Sequence, residues 1–321
     1  MTKIKVNIIG AAGYTGGELA RLILNHPKCQ LHSIHSNSQK GRKIYETHPD
    51  LIGDSELIFT DEVNKDADVV FLALPHGEAK GFLERNRFPD HMLIIDLSAD
   101  FRDESEDFVY GLPEVNKSRI MTAKRIANPG CFATAIQLAL APAVAHRLVA
   151  GTIHVTGITG STGAGKQMSE FTHFSQRNQN ISVYKLFNHQ HLTEIKNTLG
   201  KFDKDFKDEI MFVPYRGNFS RGIWITAYFP CNKTIEDAYA FYREFYGGEA
   251  FTHVSDKEIS LKQVVNTNKC IIHLQYLQGQ LVVTAAIDNL VKGAAGQAVQ
   301  NMNLAMGLEE NEGLKLKSIA F

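Results

Sequence analysis

Apolar positions from Ile4 to Ile9 form a short continuous run that stops at Gly10. From Thr15 to Asn25 they recur at helical spacing through Leu19, Leu22 and Ile23, and Gln30 to Ser36 alternates as a strand. Val69 to Leu74 and Met92 to Leu97 are further unbroken apolar runs, each ending in a turn-rich stretch. Such runs suit strands buried on both faces of a parallel sheet whose carboxyl ends present the ligand-facing loops. After an Ala/Leu-rich run from Cys131 to His146 the texture changes. Strand-like segments at Thr152 to Thr159, Ile210 to Val213, Gly222 to Phe229, Cys270 to Leu277 and Gln280 to Ile287 surround a helical run from Ile235 to Phe245, and Gln278-Gly279 marks a hairpin. The pattern predicts an α/β domain followed by an α+β domain with a mainly antiparallel sheet. A last helix, Leu290 to Met306, keeps Leu290, Ala294, Ala298, Met302 and Met306 on one face and is expected to return to the first domain. The predicted division is residues 1–130 with 290–321, and residues 131–289.

Composition narrows the function classes. The chain has 321 residues, 44% hydrophobic and 21% charged, with a formal net charge of −1. No Lys/Arg stripe suits nucleic acid or a membrane surface, and no apolar run approaches the ~20 residues of a membrane span. Cys29, Cys131, Cys231 and Cys270 lie far apart without metal-like spacing, so neither a disulfide framework nor a metal site is expected. With no leader-like N-terminus, these features predict a cytoplasmic protein acting on a small molecule.

Gly10-Ala11-Ala12-Gly13-Tyr14-Thr15-Gly16 places G-x-x-G-x-x-G between a strand and a helix. The first glycine allows the tight turn, the second lets backbone approach a pyrophosphate, and the third lets helix pack on strand. The context predicts a Rossmann-like dinucleotide-binding domain. An NAD site carries an acid at the end of the second strand, whereas here the chain reads Ser36-Asn37-Ser38-Gln39-Lys40-Gly41-Arg42. Hydroxyls on Ser36 and Ser38 with the cations Lys40 and Arg42 suit a 2′-phosphate and favour NADP(H), although both cations also fit an ordinary solvated loop.

Asn128-Pro129-Gly130-Cys131 sets one cysteine at the start of the Ala/Leu-rich helix. Unpaired N–H groups and the helix dipole favour a thiolate there, making Cys131 a candidate nucleophile; a buried structural cysteine is the competing reading. His189-Gln190-His191 is the densest imidazole cluster. Two histidines two apart face one way on a strand, yet a metal site would need a third convergent ligand that the sequence does not identify. An acid/base histidine serving Cys131 is the sharper reading, and a solvated pair capping a helix near Thr193-Glu194 is the alternative. Gly160 to Lys166 fits G-x-x-x-x-G-K, but Gln167 stands where a phosphate-cradling P-loop needs Ser or Thr. That segment reads better as a substrate-side loop.

These segments resemble the N-acetyl-γ-glutamyl-phosphate reductases of arginine biosynthesis, within the superfamily that includes aspartate-semialdehyde dehydrogenase. The resemblance spans nearly the whole chain. It rests on residues 10–19, L-P-H-G (74–77), I-D-L-S-A-D-F-R (95–102), Y-G-L-P-E (110–114), N-P-G-C-F-A-T (128–134), H-Q-H-L-T-E-I (189–195), R-G-I (221–223) and D-N-L-V-K-G-A-A-G-Q-A-V-Q-N (288–301). It implies NADPH-dependent reduction of an acyl phosphate to an aldehyde through a thioester on Cys131. His191 is the implied acid/base with His189 as alternate, and Asn289, Lys292 and Gly293 lie beside the cofactor. Ser98, Arg102, Asn128 and Lys166 become candidates for substrate contacts, and a homodimer or homotetramer is expected. The chain departs from the family pattern at Thr162 to Lys166, at Gln190 between the histidines, and at Pro214-Tyr215-Arg216, where Pro-His-Leu is common. These changes leave the acyl group open: acetyl is favoured by the resemblance, with succinyl-glutamyl, aminoadipyl or aspartyl phosphate as alternatives, and a non-catalytic NADP-binding regulator as a different class. Arg216 is the residue suited to an additional carboxylate.

Overall fold

The computed structural model describes residues 3–320, and the chain separates into two compact units. The first runs up to Gly130 and adds Ala294–Lys315; the second takes Cys131–Gly293 and the residues from Leu316 onward. Leu290 and Val291 therefore belong to the second unit, although they are in phase with the final helix. Their N–H groups are held by the buried Asp288 carboxylate at 2.8 and 3.1 Å. The tail from Leu316 also departs from the predicted division, and the Asn266 amide ties it down by donating to the Lys317 carbonyl.

In the first unit the chain runs β1 (Ile4–Ile9), α1 (Tyr14–Leu24), β2 (Cys29–His35), the single turn α2 (Ile44–Thr47), β3 (Val69–Leu72), α3 (Ala79–Arg85), β4 (Leu93–Asp96), β5 (Val109–Tyr110), α4 (Pro113–Ile120) and β6 (Arg125–Ala127). Among the described residues these strands form one sheet in the order β2-β1-β3-β4-β6-β5, parallel at every pairing. The order reverses between β1 and β3, the switch point where a crevice opens at the strands' carboxyl ends. Helix α1 buries Gly16, Leu19, Ala20, Leu22 and Ile23 as its inward stripe.

The second unit opens with α5 (Cys131–Ala145) and continues through β7 (Ile153–Thr159), α6 (Phe174–Arg177), β8 (Ser182–Val183), α7 (His191–Phe202), β9 (Ile210–Arg216), β10 (Ile223–Pro230), α8 (Ile235–Tyr246), β11 (Thr252–Ser255), β12 (Cys270–Leu277) and β13 (Gln280–Ile287). Its mixed sheet has the order β11-β12-β13-β10-β7-β9-β8. Four pairings are antiparallel; β11 with β12 and β7 with β9 are parallel. A π-helical turn, Val291–Ala295, leads into α9 (Gly296–Ala305), which packs on α1 and α4 in the first unit. No helix among the described residues is long and apolar enough to cross a membrane.

Helix α5 is apolar all round and buried from Phe132 through Val144, as a helix enclosed by its neighbours must be. Pro142 interrupts it and has no N–H to give the Leu138 carbonyl one turn back. Two tyrosines of α8 repair this stretch: the Tyr246 hydroxyl donates to Leu138 O at 2.6 Å and the Tyr242 hydroxyl to Ala139 O at 2.7 Å. Tyr246→Phe should therefore lower stability by about 1–3 kcal/mol, because it leaves a buried carbonyl without that donor. Thermal and urea unfolding check this, and an unchanged midpoint would contradict it.

Candidate active site

The glycine loop occupies the switch point of the first unit. Gly10 has φ +80°, and a Cβ there would lie 2.4 Å from the Ala73 carbonyl oxygen, so only glycine lets the turn pass β3 this closely. Gly10 and Ala11 donate their N–H groups to the His35 carbonyl at 3.1 and 3.0 Å. A Cβ on Gly13 would meet only the Gly10 oxygen, at 3.9 Å, so space remains at the N-terminus of α1. Open space beside a glycine backbone at the positive end of an eleven-residue helix fits a pyrophosphate. Ala12 and Thr15 are half-buried beside it and Tyr14 is exposed. His48 braces the loop from behind: its Nε2 lies 2.8 Å from Ala11 O, and a Cβ on Gly17 would strike its ring.

Beyond β2, Ser36 and Ser38 pair their hydroxyls at 3.3 Å. Lys40 is bound to Asp61 at 2.7 Å, with the two side chains 63% and 37% exposed. Arg42 donates to Gln39. Both cations thus have partners, but an exposed pair is held by little energy and can exchange for a phosphate.

At the carboxyl end of β6, Asn128 is buried and has all its polar groups engaged. Its N–H donates to Asp96 O at 2.7 Å, its carbonyl accepts from Arg102 Nε at 3.0 Å, its amide donates to Ala294 O at 3.1 Å and its Oδ1 accepts from Asn301 at 3.1 Å. Arg102 also donates to Leu97 O. The Ser98 hydroxyl donates to Asp96 at 2.7 Å and accepts from the Asp100 N–H. Burial holds the Asp96 carboxyl up at about 6. Ser98 is thus buried in the turn that follows β4, and Asn128 in the turn that precedes Cys131.

Cys131 opens α5 in the second unit, half-buried, while Cys29, Cys231 and Cys270 are buried. Burial pushes the Cys29 thiol up to about 12, which leaves it inert. The π-helical turn lies against Cys131: a Cβ on Gly293 would sit 2.8 Å from the Cys131 Cβ. Asp288 holds this turn through Leu290 and Val291, and is itself held by Arg221 Nε at 3.1 Å and the Asn266 N–H at 2.6 Å. Asn289 accepts from the Gly222 N–H and donates to Thr162, and Lys292 is 0% exposed with its charge bearing on His253. Asn289 thus ties the π-helical turn to the loops after β7 and before β10. Lys166 is exposed in the loop after β7.

His189 and His191 come together without a strand. His191 is the first residue of α7, and both rings are buried, so neither the strand placement nor the solvated pair holds. His189 lies among Phe132, Tyr184, Phe212 and His191, with ring centres 4.6–5.7 Å away. Its Nδ1 accepts the His191 N–H at 3.2 Å, which puts the neutral ring's proton on Nε2. Burial, reinforced by Lys185 and Arg216, lowers its pKa to about 4. His191 instead has Glu194 Oε1 3.9 Å from its Nε2, and Glu194 belongs to a helix turn fixed by Gln137 of α5, which donates to the Glu194 carbonyl and Thr198.

Comparison with known proteins identifies the family and the fold. Residues 5–123 match the NAD-binding domain of the semialdehyde dehydrogenases, and residues 131–289 match their dimerisation domain. An N-acetyl-gamma-glutamyl-phosphate reductase of Christiangramia forsetii is 53% identical over 98% of this chain and 99% of its own. One from Parabacteroides distasonis is 52% identical over 99% and 100%. The chain belongs to the N-acetyl-gamma-glutamyl-phosphate reductase family. In fold, this reductase-family chain matches aspartate semialdehyde dehydrogenase II of Vibrio cholerae, with a TM-score of 0.75 at 16% identity over 96% of this chain and 99% of that one. An NADP-bound aspartate semialdehyde dehydrogenase of Candida albicans gives 0.71 at 15% identity over 95% and 99%.

Sequence reasoning missed several supports of this family's site: His48 behind the glycine loop, Asp288 at the π-helical turn, Gln137 beneath α7, and Tyr184 beside His189. Asp288 had a readable signal, since an acid just before an apolar run marks a helix start. His189 also gives a testable pH dependence. Its proton affinity is lower in the folded chain, about 4 against 6.5, so the stability it contributes is complete above 6.5 and is lost as pH falls toward 4. His189→Phe should lose less stability than the unmodified protein across that window, as read from melting temperature against pH. Parallel curves would contradict the assignment.

Proposed function

We propose that this chain reduces N-acetyl-γ-glutamyl phosphate to N-acetylglutamate 5-semialdehyde with release of phosphate, using NADPH, as a step of arginine biosynthesis. The observation that carries this reading is the thiol of Cys131 at the start of an enclosed helix, within one unit with the buried His189/His191 pair, in a chain half identical to named reductases over nearly its full length. The dimerisation-domain match supports a homo-oligomer as the working form.

The α5 N-terminus favours Cys131 as thiolate. Sγ attacks the γ-carbonyl carbon, the carbon–phosphate oxygen bond breaks, phosphate departs with the electron pair, and a thioester remains. The loop Gly10 to Gly16, with Ser36, Ser38 and Arg42, would hold the dinucleotide, whose chemical contribution when bound is a hydride. His191 holds the proton required by the carbonyl oxygen as it takes on charge, and Glu194 provides a cation on that ring with a counter-charge. Loss of that proton from the resulting thiohemiacetal lets the carbon–sulfur bond break, freeing aldehyde and thiolate. His189 is less suited to the proton role, because its surroundings disfavour the cation. The absence of an acid at Ser36 to Ser38 supports NADPH over NADH.

The test is the reverse reaction. Purified protein should oxidise N-acetylglutamate semialdehyde only with phosphate present, and with a higher kcat/KM for NADP⁺ than for NAD⁺. Cys131→Ser should lose at least ~10³-fold in kcat while still binding the dinucleotide. Oxidation independent of phosphate, or a fully active serine variant, would refute the reading.

A further inference from the structure

Arg216 ends β9, and its guanidinium carbon lies 3.8 Å from the centre of the Tyr184 ring and 5.7 Å from that of Phe171. Contact with an aromatic face restricts the guanidinium while leaving its N–H donors available to an acceptor beside the ring. Among the described residues no side chain or carbonyl accepts a hydrogen bond from that fork, and no carboxylate pairs with it. Other arginines of this unit differ. Arg177 donates to Ser182 and Asn180, and Arg221 to Asp288. Arg216 is thus preorganised yet has no internal acceptor.

Its surroundings belong to the thiol. Tyr184 is 5.7 Å from His189, which is 5.6 Å from Phe132, the residue after Cys131. The Tyr184 phenol is pushed up by burial and then by Cys131, while Arg216 pulls it down. The guanidinium therefore lies against Tyr184, beside the aromatic cluster that follows Cys131, which suits the far end of a glutamyl chain better than the phosphate leaving the γ-carbonyl carbon.

Resting on the reductase reading above, we propose that Arg216 is a specificity-determining residue that binds a carboxylate of the acyl-phosphate substrate. An N-acylglutamyl chain offers two sources of that chemistry: its α-carboxylate, and the terminal carboxylate of a dicarboxylic acyl group such as succinyl. A planar fork takes either one bidentately.

Steady-state kinetics in the aldehyde-oxidising direction separate the sources. The aldehydes are N-acetylglutamate semialdehyde, its α-carboxamide and the N-succinyl analogue, tested on the unmodified protein, Arg216→Gln and Arg216→Lys. Arg216→Gln should raise KM for the recognised aldehyde ~10–150-fold, the range for losing a charge-assisted pair. KM for phosphate and NADP⁺ should stay within twofold, and Arg216→Lys should restore part of the loss. A loss confined to the succinyl compound assigns Arg216 to the acyl carboxylate. A loss shared by acetyl and succinyl compounds but absent from the carboxamide assigns it to the α-carboxylate. Equal loss on all three aldehydes, a raised KM for phosphate, or no change on any of them overturns the proposal while leaving the reductase reading in place. If the unmodified protein oxidises none of the aldehydes, the reductase reading falls and the proposal with it.

Discussion

Between Asn128 and Cys131 the chain passes from the end of a buried strand into a helix, and the whole hydrogen-bonding capacity of Asn128 holds that corner. Four partners from two segments meet on one residue: Asp96 and Arg102 from one, Ala294 and Asn301 from the other. Each bond contributes on the order of 1 kcal/mol, and the loss of any partner leaves a buried polar group exposed to the full desolvation penalty. The I-D-L-S-A-D-F-R segment is organised around the same corner, with Phe101 stacked on Phe108 at 4.1 Å to seat Arg102. In the proposed reaction, a thiol placed by so constrained a turn needs little reorganisation to attack.

The second unit completes that placement with a different device. A glycine in a π-helical turn meets Cys131 where any side chain would collide, and a buried aspartate fixes the turn. Single π turns recur at functional sites because they reposition a helix by one residue without breaking it. The aromatic surroundings of His189 and the carboxylate beside His191 give two adjacent imidazoles different environments, one that favours the neutral ring and one that offers a counter-charge to a cation, which is the basis of the proposed division of roles.

Long, strongly patterned elements were legible in the sequence: β1 and α1, the apolar β3 and β4, the hairpin of β12 and β13, and the enclosed α5 all follow from apolar periodicity. The two-residue strands β5 and β8 were not, because so few residues carry no period of their own. His189-Gln190-His191 misled as a strand signal, since two-residue spacing also occurs where a loop enters a helix. The π-helical turn was hidden inside an apparently regular helical pattern, because its extra residue is decided by contact with Cys131. The glycine loop and Cys131 could be read locally. Asn289 and Asn128 acquire their supporting roles only from partners distant in sequence.

Rapid mixing of the protein with N-acetyl-γ-glutamyl phosphate in the absence of any nicotinamide cofactor, followed by acid quenching and peptide mass spectrometry, tests the placement of Cys131 most directly. The account predicts a stoichiometric N-acetylglutamyl adduct on the peptide bearing Cys131, formed with release of one equivalent of phosphate and absent from Cys131→Ala. Reduction of the acyl phosphate by protein and NADPH at full rate, with no such adduct forming on Cys131 under the cofactor-free conditions, would contradict it.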